Sequence, residues 1–338
     1  MFGSVLKLTG RRLVSVIPIL LCVSALLFIV LRLLPVDPAA MSLPPNATKV
    51  EIEAMRESMG LNLPIWHQYA IWLNSTLHGQ FGTSIHYRSA VSSLIAQTLP
   101  ATIELSLVAM LIATIVGLGG GLALFQLRGG AAEAVGDIAS TVLMSIPDFL
   151  WGLFFIFLFG VLWPVMPFTG RLNPDMLQPH TTGFLLIDAI IAGKPSVLWS
   201  ALVHLVLPGA ALGIAFSPAI MRVLRSSLLD VYQEDFITQA RLRGVSEARI
   251  LFRHAFKNAI LPTLTLMGVQ FSFLFGGTLL VEVIYSYPGL GNLMVGAVRE
   301  ADLPVIQTVG LTYCVVTLAI NTIVDALCIS LNPKLIAQ

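Results

Sequence analysis

The run QEDFITQARLRGVSEARILFRHAFKNAILP, Gln233 to Pro262, holds the longest stretch of charged side chains in an otherwise apolar chain. Its second half sets Ala248, Leu251, Phe252, Ala255 and Phe256 at the i, i+3, i+4, i+7, i+8 spacing of one helical face, with Arg249, Arg253 and Lys257 on a separate cationic row. Upstream, Tyr232, Phe236 and Ala240 recur every four residues. Gly244 and the helix-starting Ser246 separate the two pieces, because glycine adopts a left-handed turn that other residues resist. The predicted shape is helix, tight turn, helix. The chemistry it offers is docking, onto a protein partner or onto an anionic membrane surface. Lipid binding leaves the Gly244 joint without a purpose, which favours the protein partner.

Covalent chemistry finds no support in the same sequence. There is no HExxH, no close Cys/His cluster and no nucleophile motif, so an enzyme is disfavoured and no catalytic, metal-binding or cofactor-binding residue is expected. IVGLGGGLAL lacks the Lys-Ser or Lys-Thr of a phosphate loop, and its Gly117 and Gly121, four apart, predict close approach of helices instead. Cys22, Cys314 and Cys328 all sit in apolar runs as small hydrophobes, which predicts no disulfide framework. With 56% hydrophobic and 11% charged residues and a mean hydropathy of +0.87, the chain belongs in a bilayer, since about a quarter of a soluble domain is charged. A net charge of +1 gives no reason to expect nucleic acid.

Six apolar runs position the docking stretch. Lys7, Arg11 and Arg12 precede the first, Leu13 to Leu31, whose about nineteen residues suffice to span the roughly 30 Å hydrocarbon core. This run is longer than the apolar core of a cleaved signal peptide and leaves through Arg32, Pro35 and Pro38, so it reads as a retained helix. Residues 35 to 98 form an extramembrane segment with short helices. In it Trp66, Tyr69 and Trp72 share one face, as an interfacial belt or a binding patch. The second span runs from Leu99 to Leu127. The third, about 136 to 163, contains SIPDFLWGL, where Pro147 and Gly152 should bend or locally unwind it. A loop from Pro164 to Ser196 follows, and the fourth span, about 199 to 223, carries Pro208 and Pro218. The fifth runs from Ala259 to Ile284 and ends in the turn YSYPGLG; the sixth, Val305 to Leu331, leaves a stub with Lys334. Lys and Arg gather at the N-terminus, the second-to-third loop, the docking stretch and the C-terminus, which puts both termini and that stretch in the cytoplasm. The expected map is a cytoplasmic N-terminus and first helix at 1–34, an extracytoplasmic segment at 35–98, a transmembrane core at 99–331 and a cytoplasmic tail at 332–338.

ARLRG at Ala240 to Gly244, followed by His254, Asn258 and Leu261-Pro262, resembles the cytoplasmic signature loop of permease subunits of binding-protein-dependent ABC importers. MRVLRSSLLDV, VEVIYSYPGLG and DALCISLNPK are similar to the dipeptide, oligopeptide and nickel branch, and the resemblance covers nearly the whole chain. It implies an all-α permease of six transmembrane helices, of the type I importer class, whose 224–258 loop between helices 4 and 5 contacts a partner ATPase. Thr238, Gln239, Ala240, Arg241, Gly244, Ser246, Arg249, Arg253, His254 and Asn258 are the residues of that contact. The family's Glu-Ala-Ala triplet reads Thr238-Gln239-Ala240 here, so the role of its leading carboxylate does not carry over. The resemblance further implies a homologous second permease, two ABC ATPase subunits that use ATP and Mg, and an extracytoplasmic solute-binding protein. This chain would bind no cofactor of its own.

Isolated polar groups in the spans are the candidates for a path or gate, because such groups are expensive in hydrocarbon. Glu104 in ATIELSL either meets the ammonium of an incoming peptide or complements the positive end of its own helix. Asp148, after Pro147, lines the path or caps the helix after the kink. Glu282 occupies what the resemblance implies is an outer-gate position, or else bonds turn backbone. Asn321 and Asp325 share a face of the last helix, where pairing with Arg222 or Arg225 is expected. Nickel-chelate or polyamine transport is the rival within the family; a proton-coupled carrier, from another class, predicts repeated halves with midplane carboxylates.

Overall fold

The computed structural model describes the backbone of residues 2–331 except 36 and 45, and side chains from 15 to 327 with the same exceptions. The side chains of Lys7, Arg11, Arg12 and Cys328 and the whole tail 332–338 with Lys334 lie outside the described residues. Every regular element among those described is helical. The first span is α1, Phe2–Arg32. Three short helices follow: α2 Pro38–Met41, α3 Lys49–Ser58 and α4 Ile65–Leu77. Asp37 caps α2, and Thr48 with Glu51 forms a reciprocal capping box on α3, satisfying donors that the first helical turn leaves open. Tyr69 and Trp72 of α4 pack on Phe28 of α1, with ring centroids 5.6 and 5.5 Å away. Trp66 does not share that contact and is 67% exposed, so the predicted aromatic face splits: each three-residue step falls about 60° short of a full turn, so Trp66 and Trp72 diverge by about 120° around the helix.

The long elements are α5 Val91–Gln126 and α9 Pro195–Val231. Both exceed the predicted spans because the helix continues past the apolar run: 36 residues at the helical rise make about 54 Å, well beyond the hydrocarbon core. Pro100, Pro208 and Pro218 lie inside these helices without ending them. The two run side by side and in the same direction, for Ala109 lies against Gly209 and Gly213, Gly117 against Ser217 and Ile220, and Gly121 against Met221 and Leu224. A Cβ on Gly117 would fall 2.6 Å from Ile220 Cβ, and one on Gly121 2.9 Å from the Met221 carbonyl oxygen, so hydrogen side chains are what permit this approach.

Between them lie α6 Ala131–Ser145 and α7 Asp148–Phe155, the latter continued by a π-helical turn Ile156–Leu162. The two are bent by 97° at the expected break before Pro147 and are together long and apolar enough for one crossing. Parallel α5 and α9 require the chain to return across the membrane between them, so the bent pair is a crossing. Five single helices complete the set of apolar spans among the described residues. The rest of the chain is α8 Leu185–Ile191, α10 Asp235–Leu242, α11 Glu247–Arg249, α12 Phe256–Ile284, α13 Leu290–Arg299 and α14 Leu303–Leu331.

Arg225 forks onto Glu133 and Asp137 of α6, and Arg222 donates to Thr141 at 2.8 Å. The expected pairing of Asn321 with these arginines is corrected: its Oδ1 accepts from Ser272 of α12 at 2.7 Å, because α14 packs on α12 rather than on the end of α9.

Gly121→Val should lower the thermal midpoint of the purified complex sharply or abolish insertion, since the added side chain meets backbone. Gly119, with nothing within 4 Å of an added Cβ, should accept alanine without loss. Differential scanning fluorimetry in detergent compares the two.

Candidate functional site

The docking stretch forms as helix, turn, helix at the end of α9. The α10 terminus is a Schellman motif, in which Gly244 N–H donates to the Arg241 carbonyl at 2.9 Å and Val245 N–H to the Ala240 carbonyl at 3.1 Å. Gly244 has φ +76°, a left-handed value, and nothing lies within 4 Å of where its Cβ would stand. Ser246 begins α11 in the extended N-cap conformation without a side-chain capping bond. Arg241, on α10, bonds Glu247, on α11, through Nε at 2.6 Å, which closes the turn. That hydrogen bond holds the Glu247 carboxyl below the usual carboxylate range.

Underneath, Ile237, Ala240, Ile250, Leu251, Ala255 and Ala259 pack on Phe125, Leu224 and Leu228. The predicted apolar face is corrected here. Residues Ile250 to Ala255 form a π-helical turn, whose wider winding keeps Leu251 and Ala255 inside but turns Phe252, 58% exposed, and Ala248 outward. Thr238, Gln239, Arg249, Arg253 and Lys257 are exposed, and Leu242 is 83% exposed. His254 is half-buried, and Asn258 Nδ2 donates to its carbonyl at 3.0 Å. The outer surface therefore combines three large apolar side chains, Phe236, Leu242 and Phe252, with a cationic row. Tyr232 anchors it to the rest of the protein: the Phe125 ring lies 4.6 Å away edge-on, and Arg128 and Arg241 stand over the Tyr232 ring at 5.2 and 5.5 Å.

The three predicted path residues share no hydrogen bond with one another among the described residues. Glu282 is fully buried and accepts from Thr102 Oγ1 at 2.7 Å, Gly291 N–H at 2.7 Å and Asn292 N–H at 3.2 Å; Thr102 Oγ1 in turn accepts from Leu290 N–H at 2.8 Å. The end of α12 and the start of α13 are thereby pinned to α5. Tyr285 O–H donates to the Gly152 carbonyl at 3.0 Å, joining the same turn to α7. Glu104 accepts from Arg171 Nη2 at 2.6 Å and from Leu186 N–H at 2.8 Å, and both members of the ion pair are nearly fully buried. Asp148 opens α7, with Oδ1 accepting from Phe149 N–H at 2.7 Å and Oδ2 turned toward Gly277.

Thr102 and Arg171 were not anticipated. Thr102 stands two residues from Glu104 in an apolar run, and Arg171 sits in a Pro- and Gly-rich loop without periodicity, so only tertiary contact reveals them.

An all-α, multi-pass core with a basic helix–turn–helix loop at one end defines a polytopic membrane protein. The chain belongs to the family described as binding-protein-dependent transport system inner membrane component, whose model matches residues 110–337; the model of that family's N-terminal part matches residues 5–106. It is 34% identical to the dipeptide transport system permease protein DppB of Alkalihalophilus pseudofirmus, over 96% of this chain and 98% of that one. It is also 34% identical to the di/tripeptide transport system permease protein DppB of Pseudomonas aeruginosa, over 98% of both. A chain of the MetNI methionine ABC transporter, solved in inward-facing conformations, shares the fold with TM-score 0.53 and 15% identity, covering 71% of this chain and 96% of that chain.

Arg171→Ala leaves the Glu104 carboxylate buried without its cation and should cost about 3–5 kcal/mol; Arg171→Met with Glu104→Leu should recover most of it. Thermal unfolding of the single and double variants checks this, and equal loss in both would mean the pair is not coupled.

Proposed function

We propose that this chain is the permease subunit of an ATP-driven importer of dipeptides or short oligopeptides in the bacterial inner membrane. The observation that carries this reading is identity sustained over nearly the full length with peptide-transport permeases. A homologous second permease forms the other wall of the path, two ABC ATPases using ATP and Mg dock on the 224–258 loop, and an extracytoplasmic solute-binding protein delivers the cargo. Both termini and the loop face the cytoplasm.

In this mechanism ATP-driven closure of the ATPases favours one of two orientations of the permeases, because the docking loop meets the closed and open ATPase pair differently. The loop transmits that difference as a body. The Schellman turn and the Arg241–Glu247 bond hold α10 to α11, and the Tyr232 contacts hold both to the ends of α5 and α9. Glu104 is engaged by two donors and Glu282 by three, which a proton relay would have to displace, and this speaks against a proton-coupled carrier. Selectivity resides mainly in the binding protein, since a tight ligand pocket in the spans would need several convergent polar groups.

Gly244→Ala should cost only the left-handed strain, on the order of 1 to 2 kcal/mol, because its Cβ enters open space. Gly244→Asp should insert and assemble but lose peptide uptake and peptide-stimulated ATP hydrolysis in vesicles. Arg249→Glu and Arg253→Glu should weaken ATPase association by about 0 to 1 kcal/mol each. Normal uptake in Gly244→Asp would remove the loop from the coupling role.

A further inference from the structure

We propose that the cleft where α1 leaves the membrane is a binding site for the phosphate headgroup of a phospholipid. Two adjoining cavities, of about 560 and 390 Å³, share Arg32, Pro38, Leu61 and Leu303 as walls. Arg32 ends α1 with its guanidinium 5.2 Å from the Phe28 ring, and its Nε is buried without a hydrogen-bond partner. No carboxylate pairs with it among the described residues. The nearby acid in the cleft, Asp37, is held by Arg56 at 2.6 Å and by the Ala39 N–H at 3.1 Å, and that Arg56 hydrogen bond keeps its carboxyl below the usual range. The charged groups facing the cleft are therefore two arginines against one carboxylate, leaving one cation over.

The smaller cavity presents a second unpaired group. Gln307, at the start of α14, is 7% exposed, lines that cavity, and its side-chain amide makes no hydrogen bond among the described residues. The buried Arg32 Nε without a partner is costly unless something occupies the space beside it, and the Gln307 amide, facing the cavity unbonded, is free to meet the same occupant. A guanidinium fork matches phosphate oxygens, and an amide N–H adds a further donor. Complementing the negative end of α1 explains a cation in the last turn, but it requires neither the cavity nor Gln307.

Phosphate reaches this place most directly on a lipid. Ile29, Val30, Leu33 and Leu34 beside Arg32 are 43%, 49%, 76% and 43% exposed, an apolar flank along which acyl chains can run while the headgroup enters the cleft. A soluble anion has no use for that flank.

Native mass spectrometry of the purified whole complex, titrated with phosphatidylglycerol, tests the assignment. The wild type should retain a phospholipid that Arg32→Gln and Gln307→Leu bind about tenfold or more weakly, with Arg32→Lys intermediate, and millimolar inorganic phosphate should not displace it. Equal retention in wild type and Gln307→Leu, or no retained lipid in the wild type, overturns the proposal. Displacement by inorganic phosphate also overturns it, in favour of a free-anion site. Should Arg32→Gln fail to insert, Gln307→Leu, which keeps the helix-terminal cation, carries the comparison.

Discussion

The close, parallel contact of α5 with α9 governs the rest of the structure. In hydrocarbon no hydrophobic force draws helices together, so association relies on packing that small residues allow, and Gly117 and Gly121 let α5 backbone meet Ser217 to Leu224 of α9, as Gly209 and Gly213 of α9 let its backbone meet Val108 to Ile112 of α5. The parallel sense then dictates that the chain between them crosses back. This crossing is made by the pair bent at Pro147, with the π-helical turn at Ile156–Leu162 absorbing the irregularity inside protein.

The same helix pair joins the two candidate functional regions. At one end of α5, Phe125 and the adjoining Arg128 hold Tyr232 and through it the docking loop; toward the other end, Thr102 and Glu104 hold the α12–α13 turn and the Arg171 loop. The docking loop and the α12–α13 turn are thus packed against opposite ends of the same helix. Hydrogen bonds to the buried Glu282 give that turn a defined arrangement, since displacing it would cost the carboxylate three donors.

Local signals in the sequence carried much of this architecture. The apolar runs, the proline break, the Gly117 and Gly121 spacing and the left-handed turn at Gly244 each depend on a few neighbouring residues, and each stands where periodicity or turn chemistry puts it. Contacts over long separation were not legible: Arg171 meets Glu104 across the fold, Arg225 chooses Glu133 and Asp137, and Asn321 chooses Ser272. The π-helical turn also defeats a fixed 3.6-residue period, which is why Phe252 was assigned inward with Leu251 and instead points out. That displacement has a functional sense, for it supplies the docking surface with a large apolar side chain.

Phe252 is therefore the place to test the central claim, that this loop meets the ATPase. A benzophenone amino acid incorporated at Phe252 should, on irradiation of the assembled complex in membranes, form a covalent adduct with the ATPase subunit, and the yield should change when a non-hydrolysable ATP analogue is bound. Adducts with lipid or with the second permease alone would contradict the account.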